Sequence, residues 1–229
     1  MTTRLRVLSV SACMLVAAVP SAWSNGGGSM SMPEIRAPRE ESPQDKAKAA
    51  YNKGVKDIKK ADKYQAEAVQ LTDAKKKERA TKEAQESYSS ALAQFQDAVQ
   101  NDPHMHEAWN YVGYSNRKLG NYDAALAAYE KALTLKPGYP DALEYRGEAF
   151  LGLSRVSDAQ QAYLDLFASN RVLAEKLLTA MRGWLDTQRS SSTADAKAVS
   201  ELDKWIQERS AIARQTASLT REGTAASWK

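Results

Sequence analysis

The stretch "GNYDAALAAYEKALTLKP", Gly120 to Pro137, decides the fold. Small residues and one aromatic ring recur on a single helical face: Ala125 and Ala132 lie seven apart, with Tyr129 between them. The alanines leave hollows that a ring from the same face can fill between packed helices. Gly120 sits where one helix must end, and Pro137 forbids the next from continuing.

The pattern recurs at a period of 34 residues. Tyr88, Tyr122 and Val156 align, as do Ala91, Ala125 and Ala159. Phe95, Tyr129 and Tyr163 follow, then Ala98, Ala132 and Leu166. Pro103 aligns with Pro137, and Arg171 breaks the series. In the helix before each, Trp109 matches Leu143, Gly113 matches Gly147 and Leu119 matches Leu153. A small residue at Gly113 or Gly147 lets the partner helix's backbone approach closely. Each unit is a helix hairpin that cannot cover its own apolar face, so it must stack on a neighbour.

Outward from the repeats, Asp45 to Leu71 carries one apolar stripe: Tyr51, Val55, Ile58, Ala61, Tyr64, Ala68 and Leu71. A second stripe runs through Ala80, Ala84, Tyr88, Ala91, Phe95 and Ala98. Thr72 or Asp73 can cap the second helix. Two helices of about 28 residues, each about 40 Å long, are expected to pair antiparallel. A shorter reading places a turn near Ala61–Lys63 but loses the continuous stripe. On the long reading the hairpin extends roughly 20 Å beyond the repeat stack. After Asn170, Leu173, Leu177, Met181, Trp184 and Leu185 form one stripe, with Gly183 expected to tighten a contact. Val199, Leu202, Trp205 and Ile206 form another. These read as a cap on the last repeat, in preference to a partner helix or a homodimer seam. The expected organisation is a signal peptide (1–24), a disordered linker (25–44), a long helical hairpin (45–103), repeats (104–171), capping helices (172–215) and a flexible tail (216–229).

The first segment is read from charge and hydropathy. "MTTRLR" holds two arginines and no acid, "VLSVSACMLVAAV" is too short to span a bilayer, and Ala22 and Ser24 sit where a signal peptidase takes small residues. Cleavage after Ser24 removes Arg4, Arg6 and Cys13, the chain's single cysteine, and lowers the formal charge from +4 to +2. So weak a positive balance argues against nucleic acid. The expected location is the periplasm, with no stable membrane insertion after cleavage.

Motifs for catalysis are missing. Cysteine chemistry leaves with the leader, no Gly-x-Ser-x-Gly elbow occurs, and "NGGGS" precedes neither strand nor helix. His104 and His106 in "NDPHMHEAW" resemble a metal pair, but no further ligand cluster lies near in sequence, and the loop must start a helix. No enzyme, cofactor or metal site is therefore expected. The basic run "AKKKERATK", Ala74 to Lys82, is interrupted by Glu78 and reads as a solvated helix surface.

The spacing Trp, small, Ala, aromatic, Ala, Pro resembles the tetratricopeptide repeat. His106 to Tyr139 carries it in Trp109, Val112, Gly113, Ala125, Tyr129, Ala132 and Pro137, departing at Asn116, where the family often has Tyr. Pro140 to Arg171 carries Gly147, Phe150, Ala159 and Tyr163. In the first unit only the second helix matches, and Gly54 is expected to take the small-residue role. The resemblance implies an all-α solenoid of helix hairpins whose first helices line a concave groove. On that face it places Asn110, Tyr114 and Arg117, then Glu144, Glu148 and Leu151, as partner-binding residues. Asn110 would meet peptide amides, Tyr114 would give a rigid ring, and Arg117 would grip a carboxylate. Glu144 and Glu148 would favour a basic segment. A groove of mixed sign is a poor match to clamps for a terminal carboxylate. The implied function is a non-catalytic adaptor or assembly factor of the cell envelope with a protein or peptide partner. The alternative is a self-associating structural component of an envelope complex.

Overall fold

The computed structural model describes residues 41–191 and 196–226, with side chains to residue 216. The expected signal peptide and residues 25–40 of the expected linker lie outside them. Among the described residues the chain is all α-helix: α1 Pro43–Gln70, α2 Ala74–Asn101, α3 His106–Lys118, α4 Tyr122–Leu135, α5 Pro140–Gly152, α6 Val156–Ser169, α7 Arg171–Arg189 and α8 Ala196–Ala226. None of these is long and apolar enough to cross a membrane.

The long hairpin is built as two continuous helices. Ser42 caps α1, its Oγ accepting from the Asp45 amide at 3.1 Å, and Pro43 opens the first turn. The helix thus takes in Pro43 and Gln44, two residues read above as linker; proline suits a first turn because its missing N–H has no partner there anyway. Asp73 caps α2 by accepting from Lys76 at 2.8 Å. Only Leu71 to Asp73 separate α1 from α2, so the two lie antiparallel. Lys118, the last residue of α3, meets Gln65 and Tyr88, and the hairpin continues past that level to its turn.

The recurrence builds the core. Tyr88, Tyr129 and Tyr163 are buried, as are Phe95 and the alanines 91, 98, 125, 132 and 159. The glycines serve rings and side chains rather than backbone approach. A Cβ on Gly54 would lie 2.7 Å from Phe95 Cζ, and one on Gly113 would strike the Tyr129 ring. Gly147 departs from the series: the atoms nearest its open face belong to Leu177 of α7, at 2.6 Å, not to Tyr163. The last repeat is therefore closed by the following helix. Gly183 meets nothing within 4 Å, which corrects the expectation that it tightens a contact.

Turns repeat as well. The Gly120 and Asn121 amides bond to Arg117 O and Asn116 O, at 3.0 and 2.8 Å, closing α3 in a Schellman turn. Ser154 and Arg155 close α5 identically onto Leu151 O and Phe150 O. The left-handed residue is glycine in the first (φ 84°) and serine in the second (φ 57°). Asn116, the departure from the family pattern, turns back on its own helix: its Nδ2 donates to Val112 O at 3.0 Å.

At the far end Leu177, Leu178, Met181 and Leu185 of α7 join Leu202 and Ile206 of α8 in one core with Tyr163 and Leu166. Helix α8 continues to Ala226, so residues 216–226, read above as tail, are helical. No proline interrupts them, and the lone Gly223 costs a helix only about 1 kcal/mol.

Candidate functional site

The first helices α1, α3, α5 and α7 present the inner face. Glu107, Asn110, Tyr114 and Arg117 share one stripe of α3, and Asp141, Glu144, Glu148 and Leu151 stand at the same offsets on α5. The structure joins most of these groups to one another instead of leaving them in water. Arg117 Nη1 donates to Glu148 Oε2 at 2.5 Å, linking α3 to α5. Lys176 Nζ of α7 donates to Glu144 Oε2 at 3.0 Å. Asp62 of α1 accepts from both Tyr88 and Tyr114 hydroxyls, at 2.6 and 2.8 Å. Lys118 donates to Gln65 of α1. The Arg117 guanidinium lies over the rings of Tyr114 and Tyr145 at 5.2 and 5.3 Å, and Lys176 over Tyr145 at 4.8 Å.

The six residues expected to face a partner therefore differ in placement. Asn110, Glu144 and Leu151 are buried, at 2, 0 and 3% exposure, and Tyr114 is nearly so. Leu151 belongs to the core with Leu177 and Met181. Arg117 and Glu148 keep some access, and each holds the other. Both edge a cleft of about 320 Å³ with Gln65, Lys118, Tyr122 and Trp184. Close packing of short helices explains the burial: an inner face one side chain deep is covered by the long residues of its own neighbours.

Burial sets the electrostatics. It raises the Glu144 carboxyl well above the usual range, with Glu148 one turn on adding to the rise and Lys176 offsetting part of it. Burial lowers Lys118, and nearby Arg117 lowers it further. Burial lifts the Tyr88 and Tyr114 phenols too, and Asp62 adds to both shifts. Helical spacing alone does not point to Gln65, Tyr145, Lys118 or Lys176, which meet the inner face only through the packing of α1, α5 and α7. Asp62 left one signal, a carboxylate inside the α1 stripe between Ala61 and Tyr64.

His104 lies in the turn before α3, and His106 opens the helix. The His104 amide donates to Asp102 Oδ1 at 3.0 Å in the turn, and His106 packs edge-on against Tyr139 at 5.0 Å. Among the described residues no three His, Cys, Asp or Glu side chains gather as a metal site.

Stacked helix hairpins with a lined inner face define a helical solenoid. The tetratricopeptide repeat model matches this chain twice, over residues 81–140 and 117–171. Residues 81–171 carry tetratricopeptide repeats, and proteins built from these repeats bind other proteins. An Hsp70-Hsp90 organising protein of Plasmodium falciparum is 32% identical over 78 residues, which is 34% of this chain and 31% of that protein. A protein of the same name from isolate 3D7 is also 32% identical over 78 residues, covering 14% of its length. The match thus spans less than a third of either relative.

Proposed function

We propose that this protein is a non-catalytic adaptor or assembly factor of the cell envelope, holding a segment of a partner protein along the inner face of α1, α3, α5 and α7. The observation that carries this reading is the pre-set inner face, where Asp62, Arg117, Glu148 and Lys176 fix the rings of Tyr114 and Tyr145 before any partner arrives. Rings held in place lose little freedom on binding. The relatives' name describes organisers of two other proteins, and adaptor is the coarse role drawn from it. The periplasmic location rests on residues 1–24 alone, with cleavage ahead of Asn25 and export of the remainder. Crosslinking in intact cells, with fractionation and N-terminal sequencing, tests both parts. Recovery of a discrete partner with an Asn25 N-terminus supports the reading, and a full-length cytoplasmic protein removes the envelope from it.

The second reading, a self-associating structural component, draws on a cleft of about 570 Å³ between α6, α7 and α8, walled by Val156, Trp184, Val199, Leu202 and Trp205. Sedimentation separates the two: a monomer at micromolar concentration disfavours self-assembly.

A further inference from the structure

The ion network leaves the N-terminal ends of α3 and α5 out. There Tyr51 of α1, Tyr111 of α3 and Tyr139, just ahead of α5, meet Glu107 and Asp141 from the first turns of α3 and α5. The Tyr51 and Tyr111 rings stand 5.8 Å apart at 69°. Tyr111 backs onto Phe95 at 4.8 Å, nearly parallel, so its plane is fixed. Tyr139 is held edge-on by His106, whose Nδ1 lies 3.2 Å from Glu107 Oε2.

Burial pushes the Tyr51 phenol up to about 12, and Tyr111 and Glu107 add to the shift. Burial raises Tyr111 and Tyr139 as well, with Asp141 contributing to both and Glu107 to the second. The inner network has a cation for each of its glutamates, but this end does not. Among the described residues no lysine or arginine pairs with Glu107 or Asp141, and none lies over Tyr51 or Tyr111. Lys136 covers Tyr139 at 4.8 Å.

Acids in a first turn also suit the helix dipole, which explains their position. It does not explain Asn110. That side chain is 2% exposed, and its Oδ1 has no hydrogen-bond partner. It lies three residues after Glu107 and four before Tyr114, on the stripe that faces the groove. A buried amide oxygen without a donor is uncommon and marks a place for one. Beyond the His106 contact to Glu107 and the Tyr139 hydrogen bond to Asp141, the capacity that remains on this stripe is carboxylate oxygens, an amide oxygen and ring faces. Donors carrying positive charge satisfy all three.

We propose that Tyr51, Tyr111, Glu107, Asp141 and Asn110 receive an arginine or lysine side chain of an extended partner segment. The proposal rests on the groove reading above and names the chemistry of its occupant. A guanidinium suits this end better than an ammonium, because it stacks on a fixed ring while its N–H fork can meet carboxylates.

Three labelled Gly-Ser dodecapeptides test it, carrying two arginines, two glutamates or two leucines, with binding to the protein read by fluorescence anisotropy. The arginine peptide should bind most tightly. Glu107→Gln with Asp141→Asn should weaken it about tenfold. Glu130→Gln, an acid on the outer helix α4 paired at 3.8 Å with Arg146, should leave it unchanged. Circular dichroism confirms that the isosteric variants fold. Preference for the glutamate or leucine peptide overturns the cationic occupant while the groove reading stands. An arginine peptide indifferent to the double substitution also overturns it. If none of the three binds, both readings fall.

Discussion

The glycines give the sharpest test of how the repeats hold together, because one substitution should have opposite signs at two sites. In an open helix Gly→Ala gains about 1 kcal/mol from backbone entropy. At Gly113 a Cβ would stand 2.6 Å from Tyr129 Cδ1 and 2.8 Å from Cζ, well inside van der Waals contact. Tyr129 is fully buried, so its ring cannot swing into water. Forcing a methyl into so tight a core costs up to about 3 kcal/mol, leaving a net loss of about 2 kcal/mol after the helix gain. For a chain of this size that lowers Tm by about 4–8 °C. At Gly183 nothing lies within 4 Å, so Gly183→Ala keeps the whole gain, about 1 kcal/mol, and raises Tm by about 2–4 °C. Far-UV circular dichroism melts of the two variants measure both. A Gly113→Ala melt at or above the wild type, or two shifts of the same sign, would refute ring-on-glycine packing as the glue of the repeat formed by α3 and α4.

Two further substitutions follow from the turns and the buried acid. Ser154 adopts the left-handed conformation that Gly120 takes one repeat earlier, so Ser154→Gly should gain about 1 kcal/mol and raise Tm; an unchanged or lower Tm denies that Ser154 is strained. Glu144 has its folded pKa raised, chiefly by burial, so the folded chain holds that proton more tightly than the unfolded chain. The resulting stability is complete below the unfolded carboxyl pKa of about 4.3 and is lost as pH rises through the folded value. Glu144→Gln does not titrate, so its stability relative to wild type should climb between about pH 5 and about pH 9 in urea melts. A difference that stays flat over that range sinks the burial argument.

The fold was legible because its determinants are local and periodic. Ala91, Phe95 and Ala98 announce their face within two turns, and Gly120 and Pro137 mark where helices stop. Even the displaced first helix could be read, since Gly54 has to leave room for a ring and Phe95 supplies it. The inner face was only half legible. Helical spacing put Tyr114 and Arg117 on the right stripe, but it carries nothing about how deep that stripe lies. Glu144 becomes a buried acid only because α7 brings Lys176 across it, thirty-two residues downstream. Asp62 acquires its role from two tyrosines on two different helices, at separations of 26 and 52 residues. Such meetings depend on crossing geometry between helices, and no one-dimensional pattern encodes it. Gly183 failed for the same reason in reverse: its sequence setting resembles that of Gly147, yet no helix comes near it.

Whether the inner-face charges are handles for a partner or parts of the scaffold can be decided at Arg117. Its side chain is 10% exposed, holds Glu148 at 2.5 Å and covers the rings of Tyr114 and Tyr145. Glu148 in turn lies one turn from the buried Glu144, so removing the guanidinium leaves two neighbouring carboxyls with Lys176 as the nearest named counter-charge. Breaking a buried pair from one side costs about 3 kcal/mol, because the remaining charge keeps its desolvation without its partner. Arg117→Ala should therefore lower the urea midpoint in the absence of any ligand. Arg117→Lys should recover only part of the loss, since an ammonium cannot lie flat against two rings. If Arg117 were a free handle, as its place in the sequence suggests, the alanine variant would keep full stability and lose only binding. A melt unchanged from wild type would therefore move Arg117 from scaffold to handle, and with it the claim that the inner face is set before a partner arrives.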